Sequence, residues 1–493
     1  MSYVDLTIIA VYLLFILLVG LNTRKYVEDF SSFMVAKRNV GLSLGVVTML
    51  GTELGLITVM YNAQAGVTGF FASFHIGLAA FVVTFLIGIT GFVIVELRKL
   101  NVKSIPEYYN LRFGKNVRII GALLLCLGGI LNMGLFLKIG AIFIQSIFGF
   151  DDKSITIIMA FLLVLVLVYT MSGGMITVII TDYIQYLVLS LGLLLSVFFS
   201  VKYFGWSNIF TLLENLEIDN RMFSYDDIYN PIKNKGFSYI SWQVVLGFVS
   251  AVIWPTAITR ALSIKNVNLV KKQYIWSSIS FLIRFIIPSF LGICAFIYFS
   301  INTDVLVHKT NLSLMPLYLL EILPVGVLGI VVAGMLAAFM STHDSYLLCW
   351  STIITNDIVE PFLGKKISSQ RKIFITRLCI LLLGFYIFVW GMFYEGSDAI
   401  WDYLGITGAI YFTGAISVVV LGVYWKKASS TGAILSLLGG FSAIIGLEPI
   451  RNAIGIKLSN PSVIGLSSLM FTVILMILGS LLFPDIDKGV QKT

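Results

Sequence analysis

Residues 322–358 combine two properties that seldom coexist. From Leu323 the run is apolar and rich in Gly and Ala, and it is long enough to cross a bilayer, for which ~20 residues suffice. Then Ser341, Thr342, His343, Asp344 and Ser345 arrive consecutively in the middle of that span. On a helix, Ser341, Asp344 and Ser345 fall at i, i+3 and i+4 and share one face. Hydroxyl and carboxylate oxygens are hard ligands of the kind a small hard cation prefers. Presented to lipid they would be costly, so they should face a cavity or another helix. The plainer reading is hydroxyls bonded back to helix carbonyls. The carboxylate weighs against it.

The rest of the chain suits such a helix. Of 493 residues, 58% are hydrophobic and 12% charged, against about a quarter charged in soluble domains. The apolar runs are continuous rather than alternating, which points to an all-α integral membrane protein and away from a β-barrel. Thirteen spans are expected: 4–22, 42–71, 72–98, 117–149, 154–172, 174–203, 236–262, 274–302, 322–358, 372–395, 399–424, 430–448 and 461–483. Basic residues gather in connections 23–41, 99–116, 263–273, 359–371 and 425–429, among them Arg24, Lys25, Lys37, Lys365 and Lys366. The positive-inside rule then places the N-terminus outside and the C-terminus in the cytoplasm of a plasma (inner) membrane. The net charge of +8 is this topology signal, and no nucleic acid is implied. Cys126, Cys294, Cys349 and Cys379 lie inside apolar spans without metal-ligand spacing and read as small core residues. The first apolar run lacks the basic flank and cleavage site of a signal peptide.

Two spans look interrupted. Met49-Leu-Gly-Thr-Glu-Leu-Gly-Leu-Ile-Thr58 puts two glycines, two hydroxyls and Glu53 at membrane depth. Non-helical backbone is tolerated there only where it lines a cavity or is buried in protein, although a Gly-rich packing face is the alternative. Pro255 interrupts span 236–262 in the same way. Spans two to six (42–203) and seven to eleven (236–424) then read as two five-helix repeats, with 4–22 added before them and two helices (430–483) after. Asp182 stands at the start of a helix, where a plain dipole-stabilised aspartate is the alternative to a functional one. Lys138 either snorkels or faces a cavity. Arg284, four residues before Pro288, contacts solute or is a structural partner of Glu53, Asp182 or Asp344.

Four segments, in order, carry a resemblance: 51–58; Gly173-Gly-Met-Ile-Thr-Val-Ile-Ile-Thr-Asp-Tyr-Ile-Gln185; 333–357, with Gly-Met-Leu-Ala-Ala-Phe-Met-Ser-Thr-His-Asp-Ser; and Leu421-Gly-Val-Tyr-Trp-Lys-Lys427. Together they resemble the sodium:solute symporter family over roughly residues 5 to 450. The turn Arg112-Phe-Gly114 is similar too, and Thr259-Arg260 stands where the family usually has Gln-Arg. The resemblance implies a LeuT-like inverted-repeat carrier of a small organic solute, driven by sodium. A first sodium site would use the carbonyls of Gly51, Leu54 and Ala338 and the hydroxyls of Ser341 and Thr342. In members with a second site, Asp182, Ser341, Asp344 and Ser345 match its ligands, although Asp344 replaces the usual serine. Glu53 is similar to the carboxylate of sodium–proline symporters, and Arg284 stands near a lysine of the sugar carriers.

Thr58, Asn62, Gln243, Arg284 and Trp401 are the expected solute-facing residues, with Tyr403, Thr407 and Tyr411 further candidates. They fit an amino acid, a carboxylate or a sugar equally well. No oligomer is required. A proton-coupled carrier is the alternative. A channel would need a filter, and an intramembrane enzyme would need a nucleophile–base set or metal ligands. His75, His308 and His343 lie too far apart in sequence to provide either. A sensing receptor would usually append a signalling domain, for which ten residues after Phe483 leave no room.

Overall fold

The computed structural model describes residues 1–23, 29–35, 38–218, 221–301, 310–364, 367–394, 400–455 and 462–485. Arg24, Lys25, Lys37, His308, Lys365 and Lys366 lie outside the described residues. Among the described residues, the regular structure is helical apart from a two-stranded ladder pairing Glu217 with Met222 and a single parallel bridge between Val40 and Ile264. Its main helices are α1 (Tyr3–Asn22), α2 (Leu42–Glu53), α3 (Leu56–Gly69), α4 (His75–Thr90), α5 (Lys115–Met133), α6 (Phe136–Phe148), α7 (Ile155–Phe204), α8 (Phe237–Ile253), α9 (Pro255–Ser263), α10 (Val267–Ile301), α11 (Val327–Ile353), α12 (Ser369–Phe393), α13 (Ile400–Tyr424), α14 (Ser430–Gly440) and α15 (Ser462–Leu482).

Among the described residues, ten helical stretches are long and apolar enough to cross a membrane, or eleven with the bent pair α8–α9. Leu42–Glu53 and Ser430–Gly446 are apolar but shorter. The thirteen expected spans therefore differ from the helices at these places. Residues 42–71 are two half-helices, and the second joins the next span in one stretch, Leu56–Thr90.

Both expected interruptions are present. α2 ends at Leu54, with φ −95° and ψ 64°, and α3 restarts after Gly55. Between α8 and α9 the chain bends by 41° at Trp254, whose ψ of 123° is the extended conformation that a following proline imposes. A third bend follows from Gly174 in α7, which adopts φ 58° and ψ −152°. A side chain there would lie 2.5 Å from Phe33.

α11 is the axis of the molecule, with every residue from Val331 to Ile353 buried. It lies among α1, α2, α7 and α12, so it contacts protein on all sides, as an all-round apolar helix should. Gly326, at its N-cap, has no side chain to bond the first amides. Asp5 on α1 supplies that bond instead, accepting from Gly326 N at 2.8 Å and Gly329 N at 2.9 Å.

Candidate functional site

The break between α2 and α3 frees backbone carbonyls that an unbroken helix would satisfy. Three are taken by side chains. Gly51 O lies 2.8 Å from Ser341 Oγ, and Thr52 O lies 3.3 Å from Thr342 Oγ1. Glu53 O accepts from Thr58 Oγ1 at 2.9 Å and from Arg284 Nη1 at 2.9 Å. Gly55 makes the approach sterically feasible, because a Cβ on it would stand 2.0 Å from Thr342 Oγ1. Gly51, Ser341 and Thr342 are thus brought together, with Ala338 buried one turn earlier on α11 and Leu54 at the break itself. The carbonyls actually facing the α11 hydroxyls are those of Gly51 and Thr52, adjacent residues, because the chain turns immediately after Glu53.

Next to this junction lies a buried charged cluster. Asp182, on the second half of α7, has Ser341 Oγ at 2.5 Å, Thr48 Oγ1 at 2.7 Å, Thr52 Oγ1 at 3.4 Å and Arg260 Nη2 at 3.5 Å. Arg260 also donates to Ser345 Oγ at 2.6 Å. Asp344 is contacted by Tyr169 OH at 2.9 Å and by Ser345 Oγ at 3.2 Å. Asp182, Ser341, Asp344 and Ser345 therefore do converge. The resident cation beside them is Arg260 from α9, while Arg284 pairs instead with Glu53 at 3.4 Å. Arg284 is on α10 and its guanidinium lies over the rings of Phe281 and Phe285, which aims it at the break and away from Asp182.

On the other side of the break, Glu53, Thr84, Gln243, Ser250, Arg284 and Trp401 line a cavity of about 50 Å³, its remaining wall mostly apolar. Trp401 donates from its indole to Gln243 Oε1 at 2.6 Å and packs against Tyr61, the ring centroids 4.6 Å apart. Glu53 accepts from Thr256 Oγ1 at 2.8 Å. Of the five expected solute-facing residues, Gln243, Arg284 and Trp401 line this cavity. Thr58 and Asn62 do not, and the reason is backbone satisfaction. Thr58 is bonded to Glu53 O, and Asn62 Nδ2 bonds Thr58 O at 2.8 Å and Arg284 O at 3.5 Å. Arg284 O is the carbonyl that Pro288, having no N–H, leaves without a helical donor. Tyr403, Thr407 and Tyr411 are also turned away, toward Leu131 O, Asn132 and Tyr109. Lys138 donates to Tyr394 O at 2.9 Å, at the C-terminus of α12, where a cation complements the helix dipole.

Thr48, Thr52, Tyr169 and Arg260 were not expected as site residues. Thr48 and Thr52 stand at i and i+4 on α2, a signal legible from spacing alone. Tyr169 and Arg260 approach from other helices, and no local pattern marks them.

The sodium:solute symporter family model matches residues 33–440. The chain belongs to the sodium:solute symporter family. Its curated relatives include a sodium/sialic acid symporter of Aliivibrio fischeri, 26% identical over 413 residues, covering 80% of this chain and 76% of that one. A sodium/glucose cotransporter of Vibrio parahaemolyticus is 23% identical, covering 100% and 93%. Among solved structures, the substrate-bound outward-open state of a Na+-coupled sialic acid symporter superposes with a TM-score of 0.81 at 21% identity, covering 98% and 99% of the two chains. MhsT, in complex with L-phenylalanine, shares the fold more distantly, with a TM-score of 0.54 at 15% identity. The symporter is thus a multi-pass, LeuT-like secondary transporter that moves a small organic solute with sodium.

Proposed function

We propose that the first sodium ion binds between the α2–α3 break and α11, using oxygens of Gly51, Leu54, Ala338, Ser341 and Thr342. One observation carries this reading. Ser341 has a single hydroxyl proton but two oxygen acceptors, Gly51 O at 2.8 Å and Asp182 Oδ1 at 2.5 Å. The proton can serve only one of them. A cation beside Ser341 Oγ turns the remaining oxygen–oxygen contact from repulsive to shared. Thr52 O, which faces Thr342, joins the expected set. Sodium joining α2 to α11 would stabilise the state in which they are apposed, and only by its differential affinity for that state.

The adjacent cluster takes a second cation. Asp182 and Asp344 carry two negative charges and Arg260 one positive, so the cluster with Ser341 and Ser345 is left one charge negative when its carboxyls are ionised. Uncompensated charge is expensive to bury. For a neutral solute, two positive charges should then move inward per cycle, falling to one in Asp182→Ala. A ratio that follows pH and ignores sodium would establish proton coupling through the same carboxylates.

The cavity charges point to a solute without net charge. Glu53 and Arg284 are paired across its wall, so an isolated carboxylate would have to displace one partner of an existing ion pair. A zwitterionic amino acid or a sugar avoids that cost, and Trp401 and Gln243 provide an apolar face and an amide for either. Uptake of labelled solutes into proteoliposomes, competed by a panel of amino acids, sugars and simple carboxylates, tests this directly. Dominance by simple carboxylates would refute it.

The repeats 42–203 and 236–424 are each interrupted in their first span, at Leu54–Gly55 and at Trp254, which supports their inverted relation. The external N-terminus and cytoplasmic C-terminus rest on the basic connections. Ser207 and Ser369, both exposed, should label from opposite sides of an inner membrane when changed to cysteine. Labelling of both from outside would overturn that orientation.

A further inference from the structure

Basic connections 23–41, 99–116 and 263–273 lie apart in sequence, but the fold brings them to one place, where α2 begins and the chain leaves α4 and α9. Val40 N donates to Ser263 O at 3.2 Å, and Lys265 N donates to Val40 O at 3.0 Å. Arg98, in the short helix Ile94–Lys99 beyond α4, donates from Nε to Ile264 O at 3.0 Å and from Nη2 to Lys265 O at 3.2 Å. Its Nη1 lies 3.4 Å from Asn101 Oδ1. Arg38 donates to that same Oδ1 and to Asn101 O. Two guanidinium groups therefore meet at one amide oxygen.

Like charges held this close repel each other, and every acceptor just named is neutral. The neighbouring acids are engaged elsewhere. Glu96 pairs with Lys99 at 2.7 Å, and Glu107 accepts from Lys103 N at 2.6 Å. Among the described residues, neither arginine makes an ion pair. Arg38 Nε is buried without a hydrogen-bond partner, and each Nη carries a second hydrogen. Arg38 and Asn101 also hold φ of 55° and 59°, a left-handed backbone uncommon for arginine. Steric strain and charge repulsion are thus both borne to assemble the pair. Around it, Lys99, Asn101 and Lys265 are exposed, and so are the apolar Leu44 and Leu100.

We infer that Arg38 and Arg98 form a site for a phosphate group, supplied by the headgroup of an anionic phospholipid. Phosphate oxygens match the guanidinium fork, and one phosphate can bridge two forks. Its negative charge relieves the repulsion that a neutral amide leaves in place. Exposed Leu44 and Leu100 favour a lipid over free phosphate, because they give acyl chains an apolar surface beside the charges. Basic pockets at the cytoplasmic ends of spans hold anionic headgroups in this way. Assigning the lipid to the inner leaflet rests on the cytoplasmic placement of the basic connections proposed above, whereas the binding itself does not. A bound headgroup would fasten α2, which carries Gly51 and Thr52, to the end of α9, which carries Arg260. It would bias transport only by its differential affinity for the state in which those ends are joined.

The test titrates purified full-length protein in detergent with phosphatidylglycerol, phosphatidylcholine or inorganic phosphate at matched ionic strength, so that sidedness plays no part. Thermal unfolding and native mass spectrometry read the result. Phosphatidylglycerol should raise the unfolding temperature and stay bound in the mass spectrum, and the other two should do neither. Arg38→Gln should weaken phosphatidylglycerol binding by about tenfold, at the low end for losing a bond to a charged group. Lys427→Gln, exposed in another basic connection, should leave it unchanged. Arg98→Lys keeps the charge but not the fork, and should weaken binding while the protein still folds. Equal binding of the two lipids, or an equal loss in Arg38→Gln and Lys427→Gln, overturns the site and leaves only diffuse attraction of charge. Stabilisation by inorganic phosphate to the same extent overturns the lipid as its source. Cysteine labelling that reverses the orientation overturns the leaflet alone.

Discussion

At the α2–α3 break, the groups presented to α11 are the carbonyls of Gly51 and Thr52, meeting the hydroxyls of Ser341 and Thr342. One helical turn along, around Ser345, the groups are Asp182, Asp344 and Arg260. Both regions are buried, and both crowd oxygens around too few protons. They differ in what desolvation costs. A set of neutral dipoles can accept an ion and release it while remaining a low-cost structure without it. A set containing two carboxylates needs a permanent positive partner merely to stay buried, and Arg260 fills that role. Neutral ligands suit a reversible coupling ion, and charged ligands suit a site that is costly to empty.

The largest effect should come from removing the permanent partner. Arg260→Leu leaves two carboxylates unbalanced and should cost about 3–5 kcal/mol of stability, the usual range for breaking a buried pair. Adding Asp344→Ser removes one of those charges and should recover much of the loss in a thermal-unfolding assay. No recovery would mean that the two regions do not differ in charge balance as described. Next come the neutral ligands. Thr342→Ala and Ser341→Ala should each raise the half-saturating sodium concentration severalfold or more, corresponding to about 1.5–3 kcal/mol, with little change in folded yield. Sodium dependence unchanged in both would remove the break as an ion site. The smallest effect should be at Asp5, which caps α11 from α1. Asp5→Ala should cost about 1 kcal/mol, seen as a small fall in unfolding temperature, and Asp5→Asn should cost less because it still accepts. An Asp5→Ala loss as large as that of Arg260→Leu would place α1 at the centre of stability and blur the contrast.

Much of this site was legible because its residues are local in sequence. Ser341, Asp344 and Ser345 share a face by helix spacing alone. The two glycines around Glu53 and the proline after Trp254 announced their breaks through backbone chemistry that does not depend on neighbours. Lys138, Thr58 and Asn62 show the limit of local reading for one reason. A polar side chain in an apolar span must find a partner, and sequence does not say whether that partner is solute or an orphaned carbonyl. The structure assigns all three to carbonyls.

Arg260 and Arg284 mark the limit most clearly. Both are intramembrane arginines, and either could have paired with Asp182, Asp344 or Glu53. The choice depends on the bend at Trp254, which swings α9 toward the α7–α11 contact, and on α10 running past the α2–α3 break. Sequence alone determined the membrane class, the broken helices and the oxygen-rich face of α11, since hydropathy, proline and glycine act through the chain's own geometry. Only the tertiary structure decided which charge meets which, because Coulomb energy depends on separations between helices that lie far apart in sequence.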